Sequence, residues 1–239
     1  FVNPLGKSSK SATITAKLLN KELYAGGALA VANHIADFVK EVVLITSYGV
    51  NDSINYFDFI KNNVHPNVRI EAVFTPDRPT TLKRRFVDHV FKHKLFEAIE
   101  IDDSPLEKEQ TKELEAKLLN HQDSNLMVVT DFGHGLIDQR LETTIAAMDV
   151  FTAVNTQTNS ANQGFNVISK YSKVDYFSID KIEAQLAVHD KQTGIEETLF
   201  KLINIVQAEY AAITLGVNGC VIGSKMVSRL KHLYYPVKL

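Results

Sequence analysis

An internal disulfide is excluded at the outset, because the chain holds a single cysteine, Cys220, and a lone thiol has no partner within it. Cys220 lies in an apolar stretch and reads as a small buried hydrophobe rather than a redox centre. Long hydrophobic runs are also missing. Stretches such as Val42 to Ile45 fall far short of the roughly 20 apolar residues a membrane helix needs. No charged-then-apolar leader precedes a cleavage site, so the expectation is a cytoplasmic protein that does not enter a membrane. An excess of either charge is lacking too: 26 basic residues stand against 28 acidic ones, a formal net charge of −2. That balance excludes a global polyanion-binding surface, and nucleic acid is not an expected ligand. The sequence opens at Phe1 rather than at methionine and stops at Leu239 without a terminal turn, which gives the expectation of a piece of a longer protein.

What is present is ordinary globular material, 45% hydrophobic and 23% charged over 239 residues, enough for one large core with a small appendage. From about Lys40 onward short apolar runs alternate with helical patterns. Val42 to Thr46, Leu126 to Thr130, Val150 to Val154, Val174 to Ser178 and Ala211 to Leu215 read as buried strands. Ala28 to Val39, Asp52 to Asn63, Pro105 to Asn120, Ile182 to Val188 and Ile195 to Gln207 read as helices, with Asp52 and Ser104 as N-caps. Alternation of this kind specifies α/β architecture, a mostly parallel Rossmann-like sheet flanked by helices. Two stretches break it: Ser11 to Leu18, and Arg69 to Ile101, where three strand patterns follow one another as a β-meander. Residues of about 10–25 and 69–101 are therefore expected to form a small antiparallel β subdomain, a lid, on a domain spanning 1–239.

Six motifs carry chemistry. Gly26 and Gly27 run straight into a helix, where backbone can approach a ligand and amides are unsatisfied; a packing turn would need the same residues. Arg78 to Val87 concentrates four basic residues, and in an extended strand Thr81, Lys83 and Arg85 share a face that can grip an anion or simply defend an exposed edge. Asp131 and the glycines Gly133 and Gly135 follow a strand, at the carboxyl end where open α/β sheets bind ligands; Asp131 serves equally well as a helix cap. Val154 to Asn159 ends another strand in polar amides. Asp180 and Glu183, three residues apart, share one face near a helix start, as a cap or as an anion pair would. Thr214, Gly216 and Gly219 form a Thr-x-Gly-x-x-Gly loop whose amides can approach phosphate. No Gly-x-x-x-x-Gly-Lys motif occurs, which argues against a P-loop kinase. His89 and His93 lack companion ligands and read as surface histidines. Asn51 to Ser53 is formally a glycosylation acceptor without a secretory context.

In order and spacing these motifs resemble the PfkB (ribokinase) family of carbohydrate kinases over most of the chain. The Arg78 to Val87 run, followed by Lys94 to Glu97, is similar to heptose-phosphate kinases within it. The resemblance implies transfer of the ATP γ-phosphate to a sugar hydroxyl, with ATP and magnesium as cofactors. It implies that Gly26, Gly27, Lys83, Arg85 and Asp131 hold substrate, that Asn155, Thr214, Gly216 and Gly219 hold nucleotide, and that Glu183 organises magnesium indirectly. Ala30 stands where many members have a sugar-binding asparagine, and Asp180 replaces the asparagine of an Asn-x-x-Glu motif. The catalytic base is expected after Leu239, in a Gly-Ala-Gly-Asp motif. The stretch Asn162 to Tyr171 resembles modules fused to nucleotidyltransferase domains, and family lids pair between subunits, so a homodimer and a fused domain are the implied partners besides the sugar. A non-catalytic sugar-nucleotide-binding module attached to a nucleotidyltransferase is the competing reading.

Overall fold

The computed structural model describes residues 1–8, 10–11, 13–50, 55–225 and 227–233. It divides into two compact units, Phe1–Val42 with Ser47–Arg69 and Phe74–Asp102, and Val43–Thr46 with Ile70–Val73 and Asp103–Leu239. Among the described residues no helix is long and apolar enough to cross a membrane.

The second unit is built on a six-stranded sheet. Its strands are β7 (Leu126–Asp131), β8 (Phe151–Thr156), β9 (Tyr176–Asp180), β10 (Tyr210–Thr214), β11 (Cys220–Ser224) and β12 (Val227–Leu233), lying side by side in chain order. Strands β7 to β10 run parallel, β11 turns back antiparallel to β10, and β12, antiparallel to β11, again follows the direction of β7 to β10. Helix α3 (Lys108–Leu119) leads into β7, α4 (Gln139–Ala147) connects β7 to β8, and α5 (Lys181–Ala187) and α6 (Ile195–Ile205) connect β9 to β10. Why α6 docks is legible in its spacing: Thr198, Leu199, Leu202 and Ile203 fall on one stripe and are buried. The three aliphatic residues join Val154, Ile168, Val174, Phe177, Ile179, Ile213 and Val221 in one apolar core, whose burial supplies the main driving force for folding. A smaller cluster gathers Val73, Leu106, Leu114 and Leu141, with Ile45 packed against it.

Helix α4 was not anticipated, although Asp138 caps it by accepting from the Leu141 amide at 3.0 Å and Leu141 and Ile145 bury one face. The expected Ser104 cap is displaced: α3 begins at Lys108, and Glu107 and Gln110 close a capping box there.

The first unit holds β1 (Val2–Lys7), β2 (Ile14–Leu18), α1 (Ala28–Ile35), α2 (Tyr56–Lys61), β5 (Leu82–Val87) and β6 (Lys94–Glu100). Antiparallel pairs join β1 to β2 and β5 to β6. Strands β3 (Val42–Gly49) and β4 (Val68–Thr75) pair with each other. Val42 donates to the Asn67 carbonyl and Val50 to that of Thr75, the same offset at both ends, so the two run parallel. The three strands expected to form one meander over 69–101 thus divide: β4, with Val68, Val73 and Thr75 buried, pairs with β3, and only β5 and β6 form a hairpin. The expected cap Asp52 and the Asn51 to Ser53 acceptor lie outside the described residues.

Candidate active site at the strand ends

Because β7 to β10 are parallel neighbours, their carboxyl ends share one edge. Register fixes who stands beside whom: Asp131 opposite Thr156, Thr130 opposite Asn155, and Asp180 opposite Thr214. The structure therefore brings together Asp131, Asn155, Asp180, Glu183 and Thr214, residues separated by up to 83 positions in sequence. An edge of this kind is where open α/β sheets bind ligands.

Asp131 is buried and its carboxylate is fully engaged within the fold. Oδ1 accepts from the Gly133 amide at 2.9 Å, and Oδ2 accepts from the Tyr171 hydroxyl at 2.9 Å and from Lys170 Nζ at 2.6 Å. Lys170 also reaches Glu142 at 3.2 Å. Burial first, then the Asp131 charge, pushes the Tyr171 phenol far above its ordinary range, so it remains a donor to Asp131. Glu183 is likewise committed. Its Oε1 accepts from the Thr158 amide at 2.9 Å and its Oε2 from the Asp180 amide at 2.8 Å, while Asp180 Oδ1 accepts from the Glu183 amide at 2.8 Å. This capping box opens α5 and ties it to the segment after β8. Burial still outweighs those two amides and holds the Glu183 carboxyl above the usual glutamate range.

The stretch after β8 is braced by asparagines whose roles the sequence did not disclose. Asn159 and Asn162 donate to the Phe132 carbonyl at 2.8 and 3.2 Å, Asn162 also to that of Gln157 at 2.9 Å, and Asn166 to that of Asp131 at 2.8 Å. Gly133, at φ +65°, is required here: a Cβ would sit 2.6 Å from Asn162 Nδ2. The only sequence signal is density, four asparagines between positions 155 and 166, since amides are the side chains that can satisfy backbone donors and acceptors at once. Beside them the hydroxyls of Thr156 and Thr158 are buried without a hydrogen-bond partner among the described residues.

Asn155 donates to the Ser178 carbonyl at 2.6 Å and Thr214 contacts that of Ile179 at 3.5 Å, so both side chains lean on β9. The loop beyond Thr214 is tight: Leu215 donates to the Gly219 carbonyl at 2.7 Å, and Gly219 to that of Gly216 at 3.1 Å. Both glycines have positive φ, +61° and +84°, which side-chain-bearing residues adopt at a cost. Around Gly216 the space is open. Cys220, expected to be buried, is half-buried, facing Thr214 across the β10–β11 pair.

Neither a family model nor a curated protein sequence matches the chain significantly. Solved structures do. Phosphofructokinase-2 from Escherichia coli in complex with fructose-6-phosphate matches at a TM-score of 0.71 and 14% identity, over 99% of this chain and 77% of that one. Ribokinase from Thermotoga maritima matches at 0.65 and 17% identity, over 99% and 74%. The fold is ribokinase-like. At these identities the likeness speaks to architecture, and it agrees with the expected α/β class: a mostly parallel central sheet flanked by helices, with small antiparallel pairs.

The remaining expected residues of this ribokinase-like chain lie in the first unit and are described there by themselves. Gly27 caps α1 with φ 58° and ψ −132°, and Gly26 beside it is exposed; with no side-chain cap, the first amides of the helix stay available. Lys83 and Arg85 lie on the same face of β5. The segment leading to them is anchored at Gly49, whose amide donates to Thr80 Oγ1 at 3.0 Å and where a Cβ would meet the Arg78 carbonyl at 2.6 Å. His89 and His93 are exposed near the hairpin turn, and among the described residues no group of three His, Cys, Asp or Glu is arranged to hold a metal.

Proposed function

We propose that the protein of which this sequence is part is a carbohydrate kinase that transfers the γ-phosphate of ATP to a hydroxyl of a sugar or sugar phosphate, a heptose-phosphate-like sugar being the expected acceptor. The observation that carries it is the shared edge of β7 to β10, with the Asp180–Glu183 box and the Thr214 loop side by side, in a fold found in a phosphofructokinase and a ribokinase. Phosphoryl transfer asks little covalent chemistry of the protein and much alignment and charge compensation. Asn155, Thr214 and the amides around Gly216 and Gly219 would hold the nucleotide. Gly26, Gly27, Lys83 and Arg85 would hold the sugar, the two cations through charge-assisted bonds to its phosphate. Asp131 would act chiefly by fixing the end of β7.

Magnesium fits as a passenger of the nucleotide rather than as a protein-caged ion, since both oxygens of Glu183 already accept amides and Mg²⁺ keeps several waters when phosphates bind it. Bound there it would neutralise phosphate charge, with Glu183 reaching it through water. The base is not among these residues: no Gly-Ala-Gly-Asp motif occurs between Phe1 and Leu239.

Isothermal titration with Mg-ATP tests the reading. Saturable, magnesium-dependent binding is expected, and Gly219→Val, which forces a branched side chain to positive φ, should weaken it by about tenfold or more. No saturable binding at millimolar nucleotide would overturn it. Ala30 and Asp180 motivate the second reading, a non-catalytic sugar-nucleotide-binding module; nucleotide binding without ADP release in a longer protein carrying Gly-Ala-Gly-Asp would favour it.

A further inference from the structure

The β5–β6 hairpin contains a charge arrangement that the functional reading does not use. Glu97 lies directly across from Arg85, and its Oε2 accepts from Arg85 Nε at 2.6 Å while standing 3.7 Å from Lys94 Nζ. Lys83, two residues along the same strand, shares the face and acts on the same carboxylate. The Glu97 side chain is 19% exposed, that of Arg85 57%, so the acid sits low and the guanidinium stands above it. Nε–H is the one Arg85 donor engaged among the described residues, and a guanidinium carries four more donors, on its two terminal nitrogens, in a rigid plane. Fixing Nε therefore fixes where that outer edge points.

We infer that Glu97 is a positioning residue: it holds Arg85 so that the terminal guanidinium nitrogens, flanked by Lys83 and Lys94, present one binding site for a phosphate monoester. The inference rests on the reading of Lys83 and Arg85 as the phosphate-gripping pair and adds Glu97 and Lys94 to it. Charge supports the ligand class. Three cations against one carboxylate leave a net charge of +2 on the face, and a phosphate monoester carries about −1.5 to −2 at pH 7. A neutral sugar would leave that charge uncompensated. Selectivity for the phosphorylated over the free sugar follows.

Titration of the whole chain with inorganic phosphate, fructose 6-phosphate and fructose, followed through the side-chain NMR signals of Arg85 Nε–H and the lysine ammonium groups, tests this. In the parent protein both phosphates should shift the Arg85, Lys83 and Lys94 signals saturably, and fructose should not. Glu97→Ala should weaken phosphate binding about tenfold and broaden the Arg85 Nε–H signal, while Glu97→Gln, which keeps an acceptor oxygen and removes a repulsive charge, should bind at least as tightly as the parent. The ring-current shifts of the stacked Phe86 and Phe96, 4.2 Å between centroids, report whether the hairpin persists in each variant. Should Glu97→Ala disturb it, Arg85→Lys carries the test: it keeps the charge, loses the fork, and should bind about tenfold more weakly. Parent-like or tighter phosphate binding by Glu97→Ala in an intact hairpin, or parent-like binding by Arg85→Lys, overturns the positioning role alone. A parent protein whose Lys83 and Arg85 signals ignore both phosphates overturns the reading of the face as well.

Discussion

Glu183 and Glu97 are the same residue type put to opposite use. Glu183 lies at the braced edge of the six-stranded sheet, buried, with two backbone amides as partners; burial dominates and its carboxyl is held above the ordinary range. Glu97 lies on the exposed hairpin. Partial burial pushes its carboxyl up, but the Arg85 bond and the charges of Arg85, Lys94 and Lys83 outweigh that and leave it below the ordinary range. The difference teaches how the two regions are held. The strand-end edge is fixed by satisfied polar groups out of water, where removing one partner strands another. The hairpin is fixed by cross-strand pairs in water, which contribute little to stability and remain free to meet a ligand.

The largest effect that sharpens this contrast belongs to Lys170. It serves Asp131 and Glu142 together, so Lys170→Met leaves two shielded carboxylates without their cation. Urea denaturation should show a loss of about 3–5 kcal/mol. Adding Asp131→Asn should restore part of it, a coupling that independent sites would not show. A loss below about 1 kcal/mol would mean that the edge is no better insulated from water than the hairpin.

Next in size is Asn162, which donates to two carbonyls and accepts from the Asn159 and Gly164 amides at 3.1 and 3.3 Å. Asn162→Ala should cost about 2 kcal/mol, because some of those groups stay buried without replacement. Amide exchange at Asn159 and Gly164 should accelerate more than exchange in β10, which identifies the loss as local.

These braces also show where sequence reasoning reached and where it stopped. The parallel strands were legible because each is a short apolar run between polar residues, and the helix stripe of Leu199, Leu202 and Ile203 because its period is local. The strand ends were legible as a site because a parallel sheet must align its carboxyl ends, which gathers Asp131, Asn155 and Thr214 whatever their separation in sequence. The partners of those residues were not. That Lys170 meets Asp131, or that Asn166 bonds its carbonyl, depends on the path of the chain between Gln157 and Tyr171, which has no periodicity to read. The pairing of β4 with β3 rather than with β5 was hidden for a related reason: a strand pattern says which face is buried, not which neighbour buries it.

The smallest effect, and the most direct test of the contrast, is a pair of carboxyl titrations followed by NMR. A glutamate whose folded pKa lies above its unfolded value adds stability that is complete below the unfolded pKa and lost as pH rises through the folded one; this is Glu183. One whose folded pKa is depressed adds stability present above the unfolded pKa and lost as pH falls through the folded one; this is Glu97. The two should therefore titrate on opposite sides of the ordinary glutamate value of 4.5. Salt separates the causes, since at about 1 M the Debye length is only about 3 Å. Raising it to that level should move Glu97 back toward its ordinary value, because Arg85 and Lys94 stand in water, and should leave Glu183 in place, because burial is not screened. If both carboxyls titrate on the same side of the ordinary glutamate value, or both respond to salt alike, the edge and the hairpin are held by the same forces and the contrast fails.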